Sequence, residues 1–189
     1  MSISISTIQL SPAHFEIPAF SFRNLPGPDG KVKRCFAVIA VSEFPLKLLE
    51  WDEVNPRQAS GTGKVPTELR RSLNEDPEFF YLNNRGITVA AEDVDFDNST
   101  NVMTVSLTDP AVHGIADGLH TAMNTLDEFH NNDGEFIEEP YLTVEFVVDL
   151  PPERSSEFAR ARNTSRQVAE KSVADHEGLF EPLQDALKS

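Results

Sequence analysis

The segment 113–126 constrains the fold of this chain more than any other, because three kinds of local structure follow one another in it without a gap. It reads His-Gly-Ile-Ala-Asp-Gly-Leu-His-Thr-Ala-Met-Asn-Thr-Leu. The apolar start predicts a strand, and the Asp-Gly pair predicts a tight turn because Gly118 accepts positive φ without steric cost. Apolar residues at helical spacing then predict a helix that begins near Leu119; they are Met123, Leu126 and Phe129.

This junction of strand, turn and helix is a candidate binding site. The first N–H groups of a helix have no partner within the helix, so a junction of this kind suits an anion such as a phosphate. Three polar side chains are expected at its mouth: Asp117, His120 and Thr121. The alternative interpretation is a turn without a ligand, and the sequence leaves both open.

The remaining hydrophobic pattern predicts an α/β or α+β domain with a mixed sheet and flanking helices. Apolar runs predict three strands of one central sheet, 35–41, 86–91 and 142–148. Further extended segments are expected at 3–10, 15–22 and 79–82, with a hairpin over 92–108. Helices are expected at 45–51, 66–73, 151–162 and 172–187, with a polar loop at 163–167 before the last of them.

Length and cysteine content predict the class of protein. A chain of 189 residues, 39% of them hydrophobic, can form one ordinary core, so we expect a single domain over 1–189. Within it, 1–34 would be an N-terminal β extension and 35–189 the core with the cleft. The single Cys35 excludes a disulfide framework and fits a reducing compartment. The N-terminus lacks the features of a secretory signal, and no apolar run approaches membrane-spanning length, so the sequence predicts a cytoplasmic protein with no membrane partner.

Charge is distributed unevenly along the chain, whose net charge is −15. Residues 91–150 contain fourteen Asp and Glu and no Lys or Arg, whereas 1–90 contain ten acidic and ten basic residues. An acidic surface of this kind repels duplex DNA, so direct DNA binding is not expected. It could hold a divalent cation or dock on a basic protein partner. A solvated acidic face without a partner is the alternative.

A second candidate site lies in the segment 79–91, Phe-Phe-Tyr-Leu-Asn-Asn-Arg-Gly-Ile-Thr-Val-Ala-Ala. Two Asn and a Gly suit a bend with left-handed backbone positions. The side chains of Asn83, Asn84 and Arg85 are candidate hydrogen-bond donors to a ligand, and the guanidinium group is well shaped for phosphate. The alternative is again a plain turn.

Four segments together resemble the AIPR (abortive infection phage resistance) family over roughly residues 50–180. They are Asn-Pro-Arg at 55–57, the segment 79–88, Ile-Ala-Asp-Gly-Leu-His-Thr at 115–121, and Arg-Asn-Thr-Ser at 162–165. Members of that family have an NNGI-like, an NGxQT-like and a later Asn-containing segment in this order. The Asp-Gly-x-His of this chain is also similar to DGQHR-type relatives in the ParB/sulfiredoxin-like superfamily.

The resemblance implies a ParB/sulfiredoxin-like core with a ligand cleft at the motif turn. It implies a nucleotide-binding domain in the conflict between bacteria and phage, and leaves open whether the nucleotide is hydrolysed and which nucleotide is bound. Asp117 would hold Mg²⁺ or orient a water, while His120 and Thr121 would contact phosphate; Asp117 and His120 are the implied catalytic residues. The implied ligand-binding residues are Arg57, Asn83, Asn84, Arg85, Gly118, Thr121, Arg162 and Asn163.

Two other functions remain open. One is a non-catalytic acidic protein that docks on a basic partner through the 91–150 face. The other is a metal-dependent nuclease with Asp117, His113 and His120 as metal ligands.

Overall fold

The computed structural model describes residues 10–28, 30–56, 64–134, 136 and 138–164. Within this part of the chain eight strands form two sheets. The strands are β1 (Ala13–Pro18), β2 (Ser21–Pro26), β3 (Lys33–Ala40), β4 (Ile87–Ala91), β5 (Asp93–Asp97), β6 (Val102–Leu107), β7 (Gly114–Asp117) and β8 (Tyr141–Val148).

The larger sheet has five strands in the order β2-β3-β8-β4-β7. Neighbouring strands within this sheet run antiparallel, except for β4 and β8, which run parallel, so the sheet is mixed. The predictions that 35–41, 86–91 and 142–148 share one sheet and that the domain is of the α/β or α+β type are confirmed. The most central strand is β8, whereas β3 lies second from one edge.

The smaller sheet, in the order β1-β6-β5, is antiparallel and contains the predicted hairpin of β5 and β6. One apolar cluster joins the two sheets. Its fully buried side chains include Ile17, Ile39 and Met103, which alternate with more exposed residues along their strands. This alternation places one face of each strand in the core, because successive side chains of a strand point to opposite faces.

Two helices cover the core near the predicted junction. They are α1 (Lys64–Glu75) and α3 (Leu119–Asn131), and the prediction of a helix directly after Gly118 is confirmed. Polar contacts join them: Arg70 donates to Asn124 at 3.1 Å, and Asn74 donates to Glu128 at 2.7 Å. Short 3₁₀ turns include Leu46–Glu50, where a helix is predicted, and Pro152–Arg154, which leads into α4, described over 155–164.

The predicted aromatic strand at 79–82 is wrong. A 3₁₀ turn, Pro77–Phe79, runs directly into a short helix, α2 (Phe80–Asn83). Pro77 at the first position starts the turn, because its fixed φ suits a helical N-terminus. Only Phe80 of the four apolar residues is buried, while Leu82 is 62% exposed. One buried side chain in four residues fits one turn of helix and not the two-residue alternation of a strand.

The predicted loop at 163–167 is wrong for its first two residues, which belong to α4. Their polar side chains bond within the helix: Asn163 donates to the carbonyl of Ala159 at 2.8 Å, and Thr164 to that of Arg160 at 2.8 Å. The polar side chains of Asn163 and Thr164 therefore do not end α4. The predictions for 3–9, for Arg57 and for 165–187 lie outside the described residues. None of the helices in the described part of the chain has the length and apolar character that a membrane crossing requires.

Candidate functional site

Antiparallel pairing of β4 and β7 brings the two candidate segments together at one end of these strands, where β4 begins and β7 ends. Thr88, near the start of β4, is paired with Asp117, at the end of β7. We expected Asp117 and Arg85 each to follow a strand, and for Arg85 this is wrong, because it follows α2 and precedes β4. The segments still meet, since the start of one antiparallel strand lies beside the end of its neighbour.

Two glycines allow close backbone contacts here, Gly118 with the other motif segment and Gly86 with β8. Gly86 and Gly118 have φ of +77° and +85°, a region that other residues avoid. A Cβ on Gly118 would lie 2.5 Å from the carbonyl oxygen of Gly86, and a Cβ on Gly86 would overlap the carbonyl oxygen of Thr143. Only glycine therefore permits this close approach.

A cleft of about 440 Å³ opens where the two segments meet α1. We call it the motif cleft. Its lining residues come from α1, from α2 and the turn after it, and from the junction of β7 and α3. They are Glu68, Leu69, Arg71, Ser72, Phe80, Asn83, Asn84, Arg85, Gly86, Asp117, Gly118 and Thr121. Six of the residues predicted to bind or act on a ligand therefore share one cavity.

Hydrogen bonds within the motif cleft shape its backbone. The Asp117 carboxylate accepts the N–H of Gly118 at 2.9 Å, and the Asn84 side-chain oxygen accepts the N–H of Gly86 at 2.8 Å. Gly118 is the N-cap of α3 and has no side chain with which to cap it. The positive end of the α3 dipole therefore faces the cleft beside Thr121.

Arg162 of α4 lies beside the motif cleft. Its guanidinium donates to the Thr88 hydroxyl at 3.0 Å and forms an ion pair with Glu145. Burial is the largest factor that lowers the pKa of Arg162; the charge of Arg34 lowers it further, that of Asp117 opposes the decrease, and that of Arg85 adds to it. Arg162 is thus electrostatically linked to residues of the cleft.

Two of the other predicted site residues do not line the motif cleft. Asn163 is buried, and its amide donates to the carbonyls of Ala116 at 2.9 Å and Ala159 at 2.8 Å, so it fastens α4 to β7. His120 is half-buried in the first turn of α3, and its carbonyl accepts the Asn124 amide at 2.8 Å.

The metal set predicted for a nuclease is wrong. His113 is buried, and its Nδ1 accepts the N–H groups of Thr108 at 3.2 Å and Asp109 at 3.3 Å. It precedes β7 while Asp117 ends that strand, which separates their backbones by roughly 13 Å at a rise of about 3.3 Å per residue. Among the described residues no three or more His, Cys, Asp or Glu side chains lie close enough to hold a metal.

Sequence reasoning missed several residues of this region: Arg34, Glu68, Arg71, Ser72, Thr88 and Glu145. For Glu145 a signal was present, because it is the only charged residue in the apolar run 141–148. Such a carboxylate needs a partner if the strand is buried. The α1 residues carried no comparable signal, since charged side chains are ordinary on an amphipathic helix.

Comparison with known proteins identifies the family. A family model described as AIPR protein matches residues 53–189, well over half of the chain, and the chain therefore belongs to the AIPR family. This membership suggests a role in abortive infection, a defence against phage. Searches of curated proteins and of solved structures found no match. The relationship to ParB/sulfiredoxin-like proteins stays a prediction.

Proposed function

We propose that this AIPR protein is a nucleotide-binding domain that takes part in abortive infection by binding a phosphate-containing ligand in the motif cleft. The observation that carries the proposal is the meeting of the two motif segments at the N-terminus of α3. Segments that are about thirty residues apart in the sequence supply Asn83, Asn84 and Arg85 on one side and Asp117, Gly118 and Thr121 on the other.

The chemistry of the lining supports a phosphate group. Arg85 supplies a guanidinium, which can form two parallel hydrogen bonds to phosphate oxygens. Asn83 and Thr121 supply neutral donors, and Gly118 lets a ligand approach the backbone at the positive end of α3. The nucleoside would extend towards Phe80 and Leu69, the apolar residues of the same cavity.

Asp117 also fits a magnesium ion of the kind that accompanies nucleotides. Mg²⁺ is commonly held by one or two carboxylates together with substrate phosphates, so a full protein cage is not required. One Asp117 oxygen accepts the N–H of Gly118, and the carboxylate has further lone pairs for a metal. Bound there, Mg²⁺ would neutralise phosphate charge. Where hydrolysis accompanies binding, Asp117 is the residue that would orient the water.

Calorimetric titration of ATP, GTP, CTP and UTP, with and without Mg²⁺, tests the proposal. Arg85→Ala and Asp117→Asn should each weaken binding about ten- to a hundredfold, on the order of 1.5–3 kcal/mol for one charged contact. Asn keeps an oxygen that can accept the N–H of Gly118, so the turn should persist. Lys47→Ala, which removes one charge from an exposed side chain outside the motif cleft, is the control and should bind as the parent does.

Two results would contradict the proposal. If the parent binds none of the four nucleotides when Mg²⁺ is present, the motif cleft is not a nucleotide site. If Arg85→Ala and Asp117→Asn lower the melting temperature but leave the affinity unchanged, both residues serve only the turns in which they lie.

A further inference from the structure

Helix α1 supplies one wall of the motif cleft. Its lining residues are Glu68, Leu69, Arg71 and Ser72. Leu69 is buried and is, with Phe80, one of the two large apolar residues of the lining, whereas Glu68 and Arg71 are exposed. The part of the cleft assigned to the nucleoside is therefore lined by an acidic and a basic side chain in addition to the apolar ones.

Glu68 and Arg71 are neighbours on the surface of α1. Residues three apart on a helix lie on the same face, with their Cβ atoms roughly 5–6 Å from each other. A carboxylate and a guanidinium on this spacing can contact two adjacent edges of one flat ligand group. A purine or pyrimidine base is such a group.

Both side chains can form further hydrogen bonds. Arg71 is paired with Glu75 at 4.0 Å, and the two side chains are 68% and 69% exposed. An exposed ion pair of this kind contributes little stability, so a ligand can replace it. Glu68 has an interaction of its own within the protein. An ionised carboxylate offers about four lone-pair sites, so it can accept bonds from a ligand beside that interaction.

Of the four common bases, guanine alone matches a carboxylate and a guanidinium side by side. Its N1–H and N2–H groups are adjacent donors, which suit the two oxygens of a carboxylate. Its O6 and N7 atoms are adjacent acceptors, which suit two parallel N–H groups of an arginine. Adenine and cytosine place one donor group beside an unprotonated ring nitrogen, and uracil places its donor between two carbonyls. A carboxylate would repel an acceptor atom in each of these three bases.

We propose that the motif cleft selects guanine nucleotides, with Glu68 accepting N1–H and N2–H of the base and Arg71 donating to O6 and N7. The inference rests on the proposed function and names the base of its ligand. The phosphate stays at Arg85 and the N-terminus of α3, and α1 supplies the specificity-determining residues.

Calorimetric titration of the triphosphates of guanosine, adenosine, cytidine, uridine and inosine tests the selection. In the parent, GTP should bind at least about tenfold more tightly than ATP, CTP or UTP, the effect of one hydrogen bond to a charged group. Inosine triphosphate lacks only the N2 amino group, so it should bind about tenfold more weakly than GTP. Arg71→Ala should weaken GTP and inosine triphosphate equally, because both bases have O6 and N7.

Glu68→Gln tests the role of the carboxylate by a change of preference. Gln has one acceptor and one donor group, which match N1–H and O2 of xanthine but not the two donors of guanine. Relative to the parent, the variant should bind GTP about tenfold more weakly and xanthosine triphosphate about tenfold more tightly. Glu78→Gln is the control, since it changes an exposed carboxylate outside the motif cleft and should keep the parental preference.

The outcomes separate this inference from the proposed function. A parent that binds the four common nucleotides with equal affinity, or that prefers another base, overturns the inference and leaves the proposed function standing. A Glu68→Gln variant that loses affinity for every nucleotide equally, or that gains none for xanthosine triphosphate, also overturns it, because Glu68 then serves only the structure of α1. A parent that binds no nucleotide removes the proposed function itself.

Discussion

Substituting Gly118 by alanine should destabilise the protein by more than its backbone conformation alone requires. A left-handed φ costs an L-residue about 1–2 kcal/mol. The new Cβ would lie 2.5 Å from the Gly86 carbonyl oxygen and 2.9 Å from the Ile87 Cα, both main-chain atoms that cannot rotate away. Forced overpacking of this kind costs about 1–3 kcal/mol, so the free energy of unfolding should fall by roughly 2–5 kcal/mol.

Gly30 offers a matched control for the conformational part of this effect. Its φ is +66°, and a Cβ there would meet no atom within 4 Å. Gly30→Ala should therefore lower the free energy of unfolding by only about 1–2 kcal/mol. Urea titration followed by tryptophan fluorescence suits the comparison, because Trp51 is the single tryptophan and is buried. Its main-chain carbonyl accepts the N–H of Ile115 in β7, so its fluorescence reports on the region of the motif segments.

The difference between the two variants measures the contact between the motif segments. If Gly118→Ala and Gly30→Ala are destabilised equally, to within about 0.5 kcal/mol, the backbones of Gly86 and Gly118 do not touch. The argument that the two segments form one cleft would then fail. A Gly118→Ala protein that folds should also bind nucleotide more weakly, because the Cβ separates Arg85 from the N-terminus of α3.

Two further predictions concern residues outside the motif cleft. Burial lowers the pKa of His113 below its usual 6.5, although the charges of Glu92 and Asp109 act in the opposite direction. Just below pH 6.5 the His113 side chain of the unfolded protein therefore binds a proton, whereas that of the native protein does not. Stability should therefore fall as the pH decreases through 6.5, and His113→Gln should lose this part of the dependence in urea titrations at several pH values. Asn163→Ala should lower the free energy of unfolding by about 1–3 kcal/mol, because it leaves the Ala116 carbonyl without its partner. Weaker nucleotide binding at unchanged stability would instead identify Asn163 as a ligand contact.

Local patterns were sufficient to predict the framework of the fold. The strands at 35–41, 86–91 and 142–148 are apolar runs of strand length, and the Asp-Gly pair marks the start of α3. In each case one short segment contains both the apolar pattern and the signal that ends it. Residues 79–82 do not contain such a pair of signals, because four consecutive apolar residues fit a strand and a helical turn equally well. The residue that favours the helical turn is Pro77, which lies before the segment at a helical N-terminus.

The site was predicted less completely because its geometry depends on contacts between distant segments. Six residues of the motif cleft were identified from two turns, but their meeting depends on the antiparallel pairing of β4 with β7, which neither turn specifies. The pair of Arg34 and Glu145 joins residues 111 positions apart. No periodicity within either strand encodes that contact, although a lone carboxylate in an apolar strand indicates that some partner exists.

The distribution of charge shows how folding changes what the sequence indicates. Residues 91–150 contain no Lys or Arg, yet Asp117 and Glu145 of this segment lie beside arginines supplied by both flanking parts of the chain. Three other acidic residues of the segment, Asp93, Asp95 and Asp97, lie exposed on one face of β5 and form an acidic surface there. Charges on that surface are screened beyond about 8 Å at physiological salt, so beyond that distance they do little to cancel the positive charge of a pocket lined by arginines. Docking of a basic partner on the acidic surface stays a prediction, and it is compatible with a small phosphate ligand in the motif cleft, because the two use different residues.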